Sequence, residues 1–376
     1  MQGKYGVFVR GSDGTLLSRV NDFVSLSIID TLNDIGSWTI SSTSTTSCPF
    51  EPGNGVVIVR NNKFFYSGIV TQIQDTLDAR TGLYTWQVQG VNDLGYLARR
   101  VCFVDPETGG TTVYDHYRDT GVLSVVVERL ISKNIGNDAM PERREAIIKA
   151  NTGSGVGEIV SVELRFQNLL NAVTAVCLGN GYNVRYVWDD DNMKVYYEVF
   201  QSRDLSQGII FTEQLNNIIE SEYIGKSPEG NWILAGGTGE MTERQFSTAQ
   251  NDDSISEWGR IEVFQDVRNQ HNTEKYVAEV LVKKSENMTG YSCTASDADN
   301  APQYGIDYKL GDYVGMKITD KYIIAQVQQV QIDLSDGIEQ ISPKFGTVAI
   351  GKFREIFIQL DNLRQDVNEL LGTEVE

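Results

Sequence analysis

The side chains in this chain best suited to acid–base chemistry are its two histidines, His116 and His271. Each lies near the boundary of a predicted helix. A nucleophilic triad needs a histidine that is oriented by a carboxylate and faces a nucleophile. Nothing in the sequence around either histidine indicates that arrangement, and no G-x-S-x-G, H-E-x-x-H or Walker pattern occurs. The sequence therefore favours surface or capping roles for both histidines.

Paired carboxylates offer a second route to catalysis, because two of them can hydrolyse a glycosidic bond. Glu240 with Glu262 or Asp266 is the alternative of this kind, a glycan or peptidoglycan hydrolase with the glycine-rich segment 236–239 shaping its cleft. That segment follows a predicted strand, but no lysine or helix start comes next, so we expect a tight turn and not a phosphate cradle. We expect no enzyme and no cofactor. A weaker alternative is a carbohydrate-binding adhesin, since exposed Tyr and Trp rings stack on sugars.

Two further groups could bind metals or form disulfides. Asp189, Asp190 and Asp191 would attract a cation, but they lack the alternating spacing and terminal glutamate of a calcium loop, so we expect a solvated turn. The four cysteines are far apart, have no C-x-x-C pair and predict neither a zinc site nor a disulfide framework. Cys177 falls within an apolar helical pattern and is expected to fill a core. No metal site is predicted.

Length and composition bound the architecture that holds these residues. A chain of 376 residues exceeds one ordinary core and should form two to four domains. The 35 glycines and only 7 prolines favour a hairpin-rich β protein. No apolar run approaches the roughly 18 residues that span a bilayer, and the first residues carry no apolar signal region, which predicts cytoplasmic synthesis without stable membrane insertion.

The net charge of −19 argues against tight binding of nucleic acid, because affinity for phosphates comes from Lys and Arg. Solubility is one explanation of this acidity. An acidic wall past which DNA slides without sticking is the other.

Two distant segments of the chain resemble each other. Residues 53–69 and 311–327 align without a gap, and each reads as a strand, a short polar turn and a second strand. Asn61 and Asn62 can supply positive-φ turn residues in the first. The pattern predicts two similar β modules around a different middle, although three identities also allow a chance likeness. The identical pairs are Gly53/Gly311, Val56/Val314 and Lys63/Lys321.

The middle of the chain changes from strand to helix patterns. Apolar residues at helical spacing follow Asp119-Thr120, which we expect to cap a helix. A second helix is expected from about Phe166 to a stop at Gly179-Asn180-Gly181. Two alternating segments around the turn at 189–192 then predict a hairpin. The two helices packed on this hairpin form a predicted α+β insert.

Short strands return from about 209 to 270, a helix is expected over about 273–286, and the tail from about 350 to 371 is predicted to be helical. Apolar residues in this tail recur at spacings of three and four, as in the a/d seam of a coiled coil. The seam favours a short parallel three-helix bundle or a docking helix. One amphipathic helix on its own domain would show a similar stripe. The seam residues are Phe353, Ile356, Leu360, Leu363, Val367 and Leu370.

The predicted fold class is therefore α+β, mainly β, with two similar β-barrel-like modules flanking α+β inserts and a C-terminal helix. The expected domains are a first β-barrel-like module at 1–97, an α+β insert at 98–208, a β segment at 209–270 that completes the first module, a second β-barrel-like module at 271–345 and the C-terminal helix at 346–376.

A family resemblance covers residues 196–268 most specifically. In order and spacing these segments resemble the tail-hub, or baseplate-hub, proteins of long-tailed bacteriophages, and the segment 311–314 resembles the last barrel of that family. The expected structural motif is Arg203, Asp204, Gly236, Gly237, Gly239, Arg260, Asp266 and Arg268; other resembling residues are Phe200, Phe211, Asn216, Asn217, Glu240, Glu262 and Phe264. We expect the glycines to serve the backbone, Arg203 to pair with Asp204, and Arg268 to pair with a nearby acid.

The resemblance implies a homotrimer whose six barrels form a ring that closes the hexameric tail tube. It implies a virion protein at the tail tip that contacts the distal tail ring, the tail tube and the receptor-binding parts, and whose lumen DNA passes without specific binding. Some related hubs continue into a peptidoglycan-degrading domain, and no such activity is carried over to this chain.

Overall fold

The computed structural model divides the chain into two compact units, residues 1–221 with 293–344 and residues 222–292 with 345–376. The residues that the structure describes are 4–110, 114–150, 155–237, 239, 241–266, 281, 284, 288–295, 301–318, 321–335 and 337–346. The helix expected over 273–286 lies almost wholly outside these residues. The C-terminal helix, with its seam from Phe353 to Leu370, lies entirely outside them.

The N-terminal part of the first unit is a run of antiparallel strands. Buried and exposed side chains alternate along them, as in β3, where Leu26 and Ile28 face the core. Asn61 and Asn62 have φ of 52° and 60°, which confirms the positive-φ turn between β5 and β6. The strands are β1 (Tyr5–Arg10), β2 (Leu16–Val20), β3 (Ser25–Thr31), β4 (Ser37–Ser44), β5 (Gly55–Arg60), β6 (Lys63–Asp78) and β7 (Leu83–Asn92).

An α+β insert follows β7, as the hydrophobic pattern predicts. Its elements are α1 (Gly95–Ala98), β8 (Tyr117–Val122), α2 (Leu123–Ile135), a 3₁₀ turn (Pro141–Arg143), β9 (Ile159–Leu164), α3 (Leu169–Leu178), β10 (Asn183–Asp189) and β11 (Lys194–Phe200). The hairpin of β10 and β11 turns directly after Asp189, which pairs with Lys194.

The predicted helix cap at Asp119-Thr120 is wrong. Both residues lie in β8, where they pair with Val162 and Ser161 of β9, and the helix begins only after Val122. The carboxylate of Asp119 instead accepts hydrogen bonds from the guanidinium of Arg129. A polar pair before an apolar helical run resembles a cap in sequence, but pairing with a distant strand prevails here.

The later strands are distributed over both units. They are β12 (Ile210–Thr212), β13 (Ile218–Lys226), β14 (Trp232–Gly236), β15 (Phe246–Gln250), β16 (Glu262–Asp266), β17 (Met288–Ala295), β18 (Tyr313–Ile318), β19 (Lys321–Ser335) and β20 (Ile338–Gly346), with 3₁₀ turns at Glu213–Leu215 and Met241–Glu243 and a helix α4 (Asp252–Trp258). The prediction of an α+β, mainly β fold is confirmed.

The long strand β19 connects the two predicted modules within the first unit. Its first part pairs with β18, and its later part pairs with β3 from Gln329↔Thr31 to Ser335↔Ser25. The sheet continues from β3 in the order β4-β7-β6-β5-β1-β2, while β12 pairs in parallel with β18. The division into two separate barrel modules stays a prediction.

In the second unit, β14 lies between β15 and β16. Ile233 and Ala235 of β14 are buried against Ala249, Val263 and Leu281. None of the helices that the structure describes is long and apolar enough to cross a membrane.

Candidate functional site

The two segments that resemble each other in sequence form hairpins with the same pairing next to the turn. In the first hairpin, β5 with the start of β6, Arg60 pairs with Lys63 and Val59 with Phe64. In the second hairpin, β18 with the start of β19, the pairs Ile318↔Lys321 and Lys317↔Tyr322 lie at equivalent positions. The first hairpin has a bulge beyond Val59, and the second continues in regular register to Tyr313↔Gln326.

One face of the first hairpin is covered by the insert. Val57 and Ile69 lie on this face and belong to the hydrophobic core that contains Leu123 of α2 and Leu169 of α3. Phe64 packs against the same core. Because cross-strand partners share a face, Val57↔Ser67 and Val59↔Phe64 place these side chains together under the insert.

The equivalent face of the second hairpin contacts the segment 202–206 and not the insert core: Tyr322 donates to Ser206 O, and Gln326 donates to Ser202 Oγ. We define its outer face as Tyr313, Gly315, Lys317, Tyr322, Ile324 and Gln326, which are cross-strand neighbours. Tyr313, Tyr322 and Ile324 are 39%, 47% and 51% exposed. The opposite face, with Val314, Met316 and Ala325, is buried. The outer face is therefore an exposed patch of large apolar side chains with one cation.

The close approach of the Tyr322 side chain leaves room only for a glycine at position 315. A Cβ at Gly315 would lie 2.6 Å from the Tyr322 hydroxyl oxygen and 2.8 Å from the backbone oxygen of Ser206. The same hydroxyl donates a hydrogen bond to Ser206 O at 2.7 Å. The tyrosine is thus held across the sheet where the first hairpin carries Val57.

Arg203 fixes the base of the second hairpin. Its guanidinium donates to the carboxylate of Asp312 twice, at 2.9 and 2.6 Å, a bidentate geometry. The Tyr313 N–H donates to Arg203 O, and the Leu205 N–H donates to Tyr313 O. Arg203 does not pair with Asp204, because that carboxylate accepts the N–H of Ser206 within its own turn. The sequence identified Arg203 but not its partner, which is 109 residues away.

A buried ion pair that the sequence did not reveal anchors the first hairpin to the insert. Arg10 donates to the carboxylate of Asp93 and to Gly68 O, and its guanidinium lies 5.8 Å from the Trp188 ring of β10. Both charged side chains are fully buried. Gly55 leaves room for this guanidinium, since a Cβ there would lie 2.6 Å from Arg10 Cζ. A buried charge pair of this kind fixes geometry, and loss of one partner is costly.

A second network that the sequence missed joins three strands of the first unit. Glu339 of β20 accepts hydrogen bonds from Lys4, from Tyr5 of β1 and from Arg60 of β5, the last with two contacts of 2.9 Å. Although burial opposes its ionisation, these donors hold the pKa of Glu339 below its ordinary value. Partners up to 335 residues apart leave no local signal in a sequence.

The glycine-rich segment of the second unit is bound by an arginine. Arg244 donates to Gly236 O at 3.0 Å and to Gly237 O at 3.2 Å, and it pairs with Asp266 at 2.9 Å. Gly239 has a φ of +99°, and a Cβ there would lie 2.4 Å from Glu243 O. These contacts are those of a backbone turn. A structural role for the motif stays a prediction, and Glu240 and Arg268 lie outside the described residues.

The acids considered for hydrolysis are bound by arginines. Glu262 accepts a hydrogen bond from Arg260 at 2.8 Å, and Asp266 pairs with Arg244. Arg260 also stacks on Trp232 at 4.2 Å.

Within the described residues, one cluster could hold a metal ion, Asp115, His116 and Glu163. The guanidinium of Arg118 already donates to both carboxylates, at 2.8 and 2.7 Å. His116 Nδ1 lies 3.4 Å from Glu163 and 3.5 Å from Asp115. The arginine therefore supplies the cationic charge of this cluster. His271 lies outside the described residues.

The aspartate turn faces solvent, whereas Cys102, Cys177 and Cys293 are buried. Lys149 and Asn192 bind the carboxylate of Asp189 and lower its pKa to about 2. Asp190 and Asp191 follow it in the exposed turn. Cys177 is buried in α3, as predicted, and burial raises its thiol pKa to about 12.

Comparison with known proteins agrees with this architecture. The chain shares a fold with a tail protein from Neisseria meningitidis (TM-score 0.56, 11% identity, covering 91% of this chain and 96% of that one). It also matches the 43 kDa tail protein of prophage MuSo2 from Shewanella oneidensis (TM-score 0.58, 11% identity, 91% and 98% covered). No curated protein matches it in sequence.

At 11% identity these likenesses establish the fold alone. A family model carries the assignment further. The model of Siphovirus ReqiPepy6 Gp37-like proteins matches residues 7–347, most of the chain. The family and the similar structures are structural phage tail proteins and not enzymes. This chain therefore belongs to the Siphovirus ReqiPepy6 Gp37-like family of phage tail proteins.

Proposed function

We propose that this chain is the hub of a phage tail baseplate, a homotrimer that forms a ring at the distal end of the tail. The ring adapts the hexameric tail tube and distal tail ring to a threefold tip with its receptor-binding parts. The observation that carries the proposal is the repeated hairpin. Two hairpins with equivalent turns in one chain become six near-equivalent units in a trimer, which is the number a sixfold tube requires.

The charge of the chain supports a passage for DNA through this ring. With 51 acidic and 32 basic residues, its surface repels phosphate groups on average. A neutral or acidic lumen lets the duplex move during ejection without the counterion-release affinity that basic walls create. The role is mechanical, and host attachment belongs to the tip components that the hub holds.

The C-terminal seam offers a further contact for assembly. A trimeric body would bring three copies of the segment that contains Leu360 and Leu363 near one axis, which lowers the entropic cost of pairing them. We assign this segment to a short three-helix bundle or to docking of the next tip component.

Negative-stain microscopy of the purified full chain tests the proposal. A threefold ring with a central hole is the expected result, and duplex DNA should bind only weakly at physiological salt. Particles without a ring would contradict the hub assignment. Tight duplex binding would contradict free passage of DNA.

A further inference from the structure

Two segments of the insert each carry a pair of adjacent arginines in a chain that is otherwise strongly acidic. We call Arg99, Arg100, Arg143 and Arg144 the arginine cluster. The two glutamates beside it, at 142 and 145, leave an excess of two positive charges, against a net charge of −19 for the chain. Within the described residues, Arg100 is the one member of the cluster that forms an ion pair, with Glu145. The cluster is therefore a local site of uncompensated positive charge.

The side chains of the two segments cross over. Arg143 lies at the end of the 3₁₀ turn, donates to Val101 O at 2.7 Å and places its guanidinium 4.0 Å from the centre of the Phe103 ring. Arg100 extends in the opposite sense and donates to the carboxylate of Glu145. Both guanidiniums thus lie between the two segments, and burial together with the Arg100 cation lowers the pKa of Arg143.

Each of these two guanidiniums has a donor that the chain does not satisfy. Arg143 Nη1 and Arg100 Nε are buried and have no hydrogen-bond partner in the part of the chain that the structure describes. Buried polar groups are nearly always paired in folded proteins, so two orphan donors on neighbouring cations indicate a bound anion. The side chains are not sealed from solvent, since Arg100 is 23% exposed and Arg143 is half-buried.

The donors indicate the chemical class of this anion. A guanidinium presents its N–H groups in a planar fork that matches the oxygens of carboxylates and phosphates. The carboxylate of Glu145 already binds Arg100 and leaves both orphan donors unpaired. A phosphate group has three strong acceptor oxygens and nearly twice the charge of a carboxylate, which suits two converging guanidiniums.

We propose that Arg100 and Arg143 bind one phosphate group, which accepts hydrogen bonds from their orphan donors. The exposed side chains of Arg99 and Arg144 add positive charge around it. The phosphate is either a free anion or part of an anionic polymer. This site goes beyond the hub function and does not depend on the oligomeric state of the chain.

Calorimetric titration of the full chain with inorganic phosphate at low chloride tests the site. The wild type should show saturable binding that weakens as salt is added. Arg143→Met removes the fork, keeps an apolar stem against Phe103 and should weaken binding by about tenfold or more. Arg19→Met is the control, because Arg19 also lies over a ring, that of Phe8, but belongs to β2 and not to the cluster. Circular dichroism establishes that each variant is folded.

Two further variants separate a phosphate site from general positive charge. Arg143→Lys keeps the charge without the fork and should lose most of the affinity. Glu145→Gln removes the carboxylate that competes for Arg100 and should tighten binding by about threefold or more. A wild type that binds no phosphate, or equal affinity in Arg143→Met and Arg19→Met, would overturn the site. If Arg143→Met does not fold, unchanged or weaker binding by Glu145→Gln would overturn it.

A polymer distinguishes the two sources of phosphate. Poly(glycerol phosphate) is compared with inorganic phosphate at equal phosphate concentration. Tighter binding of the polymer that Arg143→Met abolishes assigns the site to polymer phosphate, and equal or weaker binding assigns it to the free anion. Tight binding of duplex DNA that Arg143→Met abolishes would support the phosphate site and contradict the free passage of DNA proposed above.

Discussion

The two hairpins share the pairing at their turns and differ in what lies against them. Val57 and Phe64 are covered by the insert, whereas Tyr322, at the position equivalent to Phe64, is 47% exposed. Pairing of the strands depends on the turn and on the alternation of side chains, which both segments retain. Covering a face depends on distant parts of the chain. The same hairpin can therefore serve as core in one module and as surface in the other.

Each hairpin also has its own arginine–carboxylate pair, here called a clamp: Arg10 with Asp93 at the first hairpin and Arg203 with Asp312 at the second. The two arginines differ in burial. Arg10 and Asp93 are sealed between the first hairpin and the insert, while the guanidinium of Arg203 remains half exposed beside Asp312. The Asp312 carboxylate is itself buried, but it also accepts the Lys309 N–H and therefore keeps a backbone donor if Arg203 is lost. The comparison predicts unequal consequences for similar mutations.

The largest expected effect follows from the buried clamp. Arg10→Met should lower the free energy of unfolding by about 3–5 kcal/mol, because the carboxylate of Asp93 is left buried without its cation. Arg203→Met is the matched comparison and should cost less, because the buried Asp312 carboxylate still accepts the Lys309 N–H when the guanidinium is removed. Urea unfolding followed by tryptophan fluorescence measures both. Equal losses would reject the distinction between the two clamps.

A smaller difference in the free energy of unfolding is expected between a substitution on the covered face of the first hairpin and one on the exposed face of the second. Val57→Ala removes two buried carbons and should destabilise the chain by about 2 kcal/mol, including the cavity left behind. Ile324→Ala should change the unfolding free energy of the dissociated chain by less than about 1 kcal/mol, because half of the side chain is already in water. Thermal and urea unfolding at low protein concentration compare them. A larger loss from Ile324→Ala would mean that its face is covered within the chain.

A pH-dependent effect is expected where strand β3 pairs with β19. Asp30 of β3 pairs with Val330 of β19, and burial raises its carboxyl pKa to about 6, although the Asn92 amide donates to it. A folded-state pKa above the unfolded value contributes stability at low pH that is lost as the pH rises through about 6. Asp30→Asn should therefore stabilise the chain at pH 8, by at most about 3 kcal/mol, and change little at pH 4.

Asp13 provides the control of opposite sign. The Thr15 N–H and hydroxyl lower the pKa of its carboxyl, so its ionised form is favoured in the folded chain. Asp13→Asn should give no gain at pH 8. Urea midpoints at pH 4, 6 and 8 distinguish the two variants, and a pH-independent effect of Asp30→Asn would contradict the raised pKa.

Local sequence was enough to predict the hairpins, the α+β insert and the turn at Asn61-Asn62. These features follow from alternation, helical spacing and turn chemistry over fewer than about twenty residues. The clamps were not predictable in the same way. Arg203 stood out by resemblance, yet its partner Asp312 and the pair of Arg10 with Asp93 bring together residues that are 83 to 109 positions apart. The prediction of a helix cap at Asp119-Thr120 was wrong for the same reason, because this segment pairs with the distant strand β9.

The mass of the assembled chain tests the central claim most directly. Light scattering on the purified full-length protein, coupled to size exclusion, should give three times the chain mass of 41.9 kDa, about 126 kDa. A single species of 41.9 kDa at every concentration, or a dimer, would contradict the trimeric hub.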